Sequence, residues 1–587
     1  MSWAAWLLAG SSWFRRGTFR REKAMKTENG ARPDDALLRG LKADMSGPRM
    51  MATLGELAGW IKLAGTREER ESLKILESRL IDAGFRVEVL LHDAFISLPG
   101  AASLVIDGRA YACITHSMAV PTPAEGLVAD IVDVGAGAPE DMKGLDVKDR
   151  IVLVDGIATP AVAQRMSRLG AAGIIHVSPH KHLHEMCISP VWGSPSLSTK
   201  ADLPHCSIVT ISEADGAALR AERAGGRATS AHMHTQVDTR WQKTPILVAD
   251  MDAPGCGADD PFVLFSGHHD TWHYGVMDNG SANATIVEVA RLVASRRENW
   301  RRSVRICIWS GHSQGRYSGS AWYADQNWSE IDRRCVAHVN IDSPGGKGAS
   351  NLRNTGVMNV LRPLAARAIM NEAAQELAGK PKVRSADESF QSLGIPSMFG
   401  SLSGQVITPD SKMRNALGWW WHTPEDLIDK IDENNLVRDA KVVLECLWRL
   451  LSEDVLPIDV GRPLADLRAQ LADLKKHIGP TLDIDALIGR VEAVAQALAD
   501  CAAAQIPDAV NTFIKRAARE LVMLEHSHGD RFVHEPALNQ PVWPVLEPLR
   551  VLAAQSPGTD SFRFAHVDAV RACNRITWHL DHILERV

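Results

Sequence analysis

The stretch FVLFSGHHDTWHYGVMDNGSANA, residues 262–284, combines a buried-strand signal, a compact set of metal-ligand residue types and a helix start. It opens with Phe262, Val263, Leu264 and Phe265, an apolar run stopped by Ser266 and Gly267. That is the pattern of an interior parallel strand whose C-terminal end opens into a loop. The loop holds His268, His269, Asp270, His273 and Asp278. Open α/β sheets place ligand sites just beyond the carboxyl ends of their strands, so chemistry is expected here. Asn279, Gly280 and Ser281 then read as a helix N-terminus, followed by an apolar-periodic helix over 284–293.

Outward from this stretch, strands and helices alternate between residues 244 and 457, which predicts a mostly parallel sheet with helices on both faces. Its other predicted strands are 304–309, 336–341 and a short one near 397–399. Upstream, residues 46–98 read as helices over 54–63 and 68–83 followed by a strand at 87–91. Between about 108 and 239 the texture changes to short strands and Gly/Pro turns (LVADIVDVG, DRIVLVDG, GAAGIIHVS, LPHCSIVTIS), with a helix over 160–169. Beyond Pro463 the chain reads as helices over 464–477, 484–504, 511–524 and 565–584. The domain reading is therefore an uncertain segment 1–45, an α/β domain split over 46–107 and 241–457, a β-rich insert 108–240 and a helical domain 458–587.

At 587 residues the chain is too long for one core. A hydrophobic content of 45%, a charged content of 23% and a net charge of −6 are ordinary for a globular protein and give no sign of nucleic acid or of a charged membrane surface as partner. The nine cysteines stand singly, with no CxxC pair, which points to a reducing, cytoplasmic setting and away from a zinc-thiolate site. The apolar residues 1–14 fall short of the ~20 needed to span a bilayer, and their basic residues follow the apolar run where a secretory signal has them before it. Met25 and Met45 offer alternative starts ahead of the first patterned helix.

Four residues with metal-ligand chemistry fall at predicted strand ends or in the loops beyond them: His268, Asp278, Asp342 in VNIDSPGG (339–346) and His422 in WWWHTPEDLIDKID (419–432). Together they form an N/O ligand set that suits zinc, and an Asp shared between two ions would hold them close enough to polarise one water. PHKHLHE (179–185) also carries His180, His182 and His184, but no carboxylate or Cys pattern completes a site, so it reads as a solvated loop. His526, His528 and His534 read as a polar turn.

GHHDTW, MDNGSAN, NIDS and HTPEDLIDKID resemble the motifs of the co-catalytic zinc aminopeptidases and carboxypeptidases of peptidase family 28, clan MH, which includes aminopeptidase Y, glutamate carboxypeptidase and the transferrin receptor. The resemblance implies a protease-associated domain for the insert and a homodimerisation surface for the helical tail. It also implies His268 and Asp342 on one metal, His422 on the other, Asp278 bridging both and Asp270 orienting His268. The cofactor implied is zinc, as one or two ions, or another divalent metal.

The family has two adjacent glutamates after the strand at 304–309, one a general base and one a ligand. Here the chain reads WSGHSQGRYSGS (309–320), with no acidic residue between Glu298 and Asp325. His312 falls at the position of the base in one alignment, and an imidazole, with an ordinary pKa of about 6.5, can act as a base near neutral pH or serve as a ligand. Loss of two negative charges makes a single ion a serious alternative to two. Arg316, Tyr317 and Trp421 are candidate substrate contacts. The expected function is metal-dependent hydrolysis of a small peptide or non-peptide amide, with a non-catalytic binding protein on the same scaffold as the alternative.

Overall fold

The computed structural model describes residues 33–226, 229–408 and 416–585; the apolar opening segment lies outside them. Helix α1 (Pro33–Ala43) belongs to a small N-terminal unit ending at Asp44, and all that follows concerns the unit beginning at Met45.

The sheet around the ligand loop is built from β9 (Phe262–His268), β10 (Ser303–Trp309), β11 (Cys335–Asp342) and β12 (Ser397–Ser401), all parallel. Every residue of β9 is buried, as its unbroken apolar run requires when both faces are covered. One face packs against α6 (Ala282–Ala294) and α10 (Glu433–Ser452), with α2 (Gly47–Leu57) and α3 (Arg67–Asp82) laid against α6. On the other, Phe262, Leu264 and Trp309 meet Tyr323 and Ala324 of α7 (Ser318–Gln326) and Ile331 of α8 (Trp328–Arg334).

The upstream strand is far longer than the predicted 87–91. β1 (Arg86–Ile106) pairs antiparallel with β8 (Ser230–Met251) from Arg86↔Asp250 to Ile106↔Ala231, with an irregularity between Pro99 and Ala102. One end of β8 pairs β10, and the other pairs β4 (Leu127–Asp133), so this ribbon carries a single 12-stranded sheet from the ligand-bearing strands into the segment read as an insert. That segment is more regular than its texture suggests. β4, β5 (Ile151–Asp155), β6 (Gly173–Val177) and β7 (Ser207–Ile211) are consecutive parallel neighbours, and every residue of β6 and β7 is buried. Val152, Ile174 and Ile208 line a cluster on one side and Leu153, Ile175 and Val209 a cluster on the other. Helices α4 (Pro160–Arg168) and α5 (Glu213–Ala224) complete the layer.

The C-terminal helices are α11 (Gly461–Ile478), α12 (Ile484–Ala503), α13 (Pro507–His526), α14 (Glu547–Ala553) and α15 (Asp560–Leu584). α13 docks directly on the strand-bearing core. Arg519 donates to Ile331 O at 3.2 Å and Asp332 O at 3.0 Å, and Gly394 at φ +71 lets the two backbones meet, since a Cβ there would lie 2.1 Å from Arg519 O. The three tail histidines do not assemble into a site. His526 is buried at the end of α13, His528 pairs Glu535 at 2.9 Å, and His534 pairs Asp325 at 2.9 Å.

Glu525, on α13, is buried beside Asn359, and burial pushes its carboxyl up to about 8 from 4.5. The folded chain thus holds a proton that the unfolded chain releases, so this contribution to stability is full below about pH 4.5 and declines as pH rises towards 8. Glu525→Gln, which keeps an acceptor for Asn359, is expected to gain melting temperature relative to the parent between about pH 5 and pH 8 in thermal denaturation. An unchanged difference across that range would contradict it.

Candidate metal centre

Parallel register brings the ligand residues together. His268 ends β9, Asp342 ends the neighbouring β11, and Trp309, at the end of β10, lies opposite His268. The loop after β10 therefore rises at the same edge. Asp278 stands in an irregular turn (Val276–Ser281) leading into α6, and His422 reaches in from a loop, its backbone in the left-handed region at φ 58.

Asp278 uses one oxygen for each histidine. Its Oδ1 lies 3.2 Å from His268 Nε2 and its Oδ2 lies 3.0 Å from His422 Nε2; Asp342 Oδ2 is 3.7 Å from His268 Nε2. The other nitrogen of each ring fixes the tautomer. His268 Nδ1–H donates to the carbonyl of Asp270 at 2.8 Å and His422 Nδ1–H to the carbonyl of Glu185 at 2.6 Å. A carbonyl only accepts, so each neutral ring turns its Nε2 lone pair towards carboxylate oxygens that also only accept. His268 Nε2 and Asp278 Oδ1 are buried without a hydrogen-bond partner. Acceptors converging in this way fit a divalent cation. The same field acts on protons. Burial disfavours charge on both groups, yet Asp278 and Asp342 raise the His268 pKa well above its ordinary value, and His268 and His422 hold Asp278 well below its own.

Asp426, inside the quoted HTPED motif, accepts the main-chain N–H groups of Met277 at 2.9 Å and Asp278 at 3.0 Å, fixing the bridging carboxylate from behind. Burial pushes Asp426 up to about 7. The fully buried Lys62, brought down to about 7 by burial, donates to Trp60 O at 3.0 Å and Tyr274 O at 2.8 Å and so braces the same loop.

Asp270 supports His268 through its main-chain carbonyl, whereas the sequence reading gave that task to its side chain. Its carboxylate stands 3.9 Å from His268 Nδ1 and instead accepts the N–H groups of His312 at 3.1 Å and Ser313 at 2.8 Å. It thereby holds the loop that replaces the glutamate pair.

His312 lies inside the centre. Ligand atoms of His268, His312 and Asp342 lie within 4.8 Å of one another, and the His312 ring stacks on His268 with centroids 3.6 Å apart and planes 12° apart. Its Nδ1 is 2.8 Å from Oδ2 of Asp387, a fully buried residue whose Oδ1 accepts from Ser320 Oγ at 3.1 Å. Burial disfavours the Asp387 anion, but the charge and hydrogen bond of His312 bring its pKa below the ordinary value. In the neutral ring Nδ1 therefore carries the proton and Nε2 the lone pair. No local signal in SADESF (385–390) marks Asp387, because its partner is 75 positions away.

The remaining candidates surround this set. Tyr317 presents its ring edge to His312 at 4.8 Å and packs on Trp192 at 4.3 Å. Arg316 lies over Tyr317 at 5.1 Å with its buried Nε unpartnered, and its NH2 reaches Ala537 O at 3.4 Å. Trp421 stacks on His422 at 3.5 Å. The loop 179–185, read as solvated, packs against this edge instead: His182 stacks on Trp419 at 4.2 Å and His184 is buried.

Residues 248–447 match the model of peptidase family M28. Among curated proteins, aminopeptidase YwaD of Bacillus subtilis is 23% identical over 73% of this chain and 89% of its own length. The probable glutamate carboxypeptidase VP8 of Zea mays is 24% identical, with 50% of this chain and 49% of that protein aligned. Among solved structures, BSAP, a zinc aminopeptidase from Bacillus subtilis, superposes with TM-score 0.54 at 21% identity over 70% of this chain and 96% of its own. A peptidase M28 precursor from Shewanella amazonensis does so with TM-score 0.56 at 18% identity, over 72% and 97%. Residues 248–447 are thus a peptidase family M28 domain.

Proposed function

We propose that this chain hydrolyses an amide bond of a small peptide or a non-peptide amide at a zinc centre held by His268, Asp278, Asp342 and His422. The observation that carries the reading is the pair of histidine Nε2 atoms aimed at the two oxygens of one buried carboxylate, a set that offers its lone pairs to a cation in place of a proton. Zinc, when bound, supplies Lewis acidity for the scissile carbonyl and makes water a nucleophile near neutral pH.

His312 is the proton carrier in this reading. Its Nε2 accepts a proton from the attacking water and returns it to the leaving amine, while Asp387 at Nδ1 holds the tautomer and stabilises the imidazolium. The stacked geometry favours this role over that of an added ligand. Ring lone pairs lie in the ring plane, so two rings only 12° from parallel do not aim at one point. Asp270, holding the amides of His312 and Ser313, sets the position of the base. Arg316, with an open buried donor beside Tyr317, suits a substrate carboxylate, and Trp421 supplies an apolar wall at His422. The C-terminal helices are proposed to carry a homodimer contact; Phe564 and Trp578 of α15 are 75% and 58% exposed.

The test is metal stoichiometry on purified protein together with a screen of peptide and amide substrates. Bound zinc with turnover that is lost on chelation and restored by zinc is the expected result. Absence of both metal and turnover would leave the non-catalytic alternative.

A further inference from the structure

We propose that the histidine loop of residues 179–185, in the segment inserted between β1 and β8, positions the metal ligand His422, with His184 as its central residue. This rests on the metal-centre reading above. Three hydrogen bonds form a chain whose direction is fixed at both ends. His184 Nδ1 faces the carbonyl of Trp421 at 2.5 Å, so it carries the proton and its Nε2 is an acceptor. His180 Nε2, 3.1 Å from that nitrogen, must then be the donor, which leaves His180 Nδ1 to accept the main-chain N–H of His182 at 3.1 Å.

The chain ends on the carbonyl of the peptide that joins Trp421 to His422. The adjoining residue of the loop grips His422 itself: Glu185 N–H donates to His422 O at 3.1 Å, and His422 Nδ1–H donates to Glu185 O at 2.6 Å. Both the backbone and the ring of the ligand are thus held by one loop. That hold matters because His422 adopts a left-handed backbone at φ 58, a conformation uncommon outside glycine. On the opposite side, His268 draws its support from its own loop, through Asp270 O. Loss of the relay should therefore loosen one side of the centre and leave the other.

The experiment is Zn²⁺ affinity by chelator competition on the full chain, with His184→Leu, His184→Asn and His182→Ala compared with the parent. His184→Leu is expected to weaken Zn²⁺ binding about 10- to 100-fold, the usual effect of losing the support of a ligand. If the parent binds two ions, only one should be affected. Asn places an amide N–H near the position of Nδ1 and should recover part of the loss, which a purely structural role would not predict. His182→Ala, which loses the ring stacked on Trp419 but keeps the main-chain N–H of the relay, should weaken Zn²⁺ binding less than His184→Leu. If His184→Leu fails to fold by circular dichroism, recovery by His184→Asn over His184→Ala provides the same comparison. Parent-like affinity in a folded His184→Leu overturns the proposal while sparing the metal reading. A parent that binds no Zn²⁺ overturns the metal reading and this proposal with it.

Discussion

Asp278→Asn is expected to fold and to lose both tight zinc binding and hydrolysis. The fold survives because the turn is held through main-chain groups: Asp426 binds the amides of Met277 and Asp278, and Ser281 Oγ donates to Met277 O at 2.7 Å. None of these uses the Asp278 side chain. The substitution removes the one group that spans both histidines, at 3.2 and 3.0 Å, and sets an amide donor or a weaker acceptor against each Nε2. Lewis-acid stabilisation is worth several kcal/mol, so its loss lowers kcat by roughly a thousandfold or more. Chelator competition and initial rates on the same preparation measure the two losses together. Parent-like turnover in this variant would show that hydrolysis takes place elsewhere.

The second large effect is at His312, where the two roles open to it separate experimentally. As a base, His312→Ala should lower kcat about 10²- to 10⁴-fold with zinc affinity unchanged. As a ligand, it should lose zinc affinity first. Asp387→Asn sharpens the distinction. An amide beside Nδ1 offers a donor as readily as an acceptor, so it permits the tautomer with the proton on Nε2, where a base needs its lone pair. In the Ser-His-Asp arrangement that change costs on the order of 10⁴ in kcat. Here it should fall on kcat more than on KM, because Asp387 is fully buried behind the imidazole. Equal zinc content and equal kcat in His312→Ala and the parent would remove the dyad from the mechanism.

What could be read in the sequence was what local pattern determines. β9 and its ligand loop stood out because an apolar strand buried on both faces leaves an unbroken run, and because helix α6 begins right after the turn. His268, Asp278, Asp342 and His422 were legible as residue types at strand ends and in loops, and register in a parallel sheet then sets His268 beside Asp342. Asp387 was not legible, since a buried carboxylate is defined by its partner, and His312 comes from a different strand end. Nor was the role of 179–185, where histidine composition suggested solvent but tertiary contact makes it the support of His422. The length of β1 was hidden for a different reason. Its burial alternates irregularly as it passes from one layer to the next, so no single period marks it.

The pairing of β1 with β8 also sets an order of events as the chain is made. Arg86 waits for Asp250, and at 5–20 residues per second that partner emerges roughly 10–30 s later. During that interval the strands and helices of the intervening layer can assemble, because β5, β6 and β7 are neighbours in sequence as well as in space. β2 (Arg109–Tyr111) meanwhile folds back only on the far side of β1, at residues 104–106, so the edge that β8 will take stands open along its whole length. Synthesis of β8 closes that edge and joins β4 of the layer to β10. Residues 179–185 are thus made, and their layer can assemble, well before His422 itself has been synthesised.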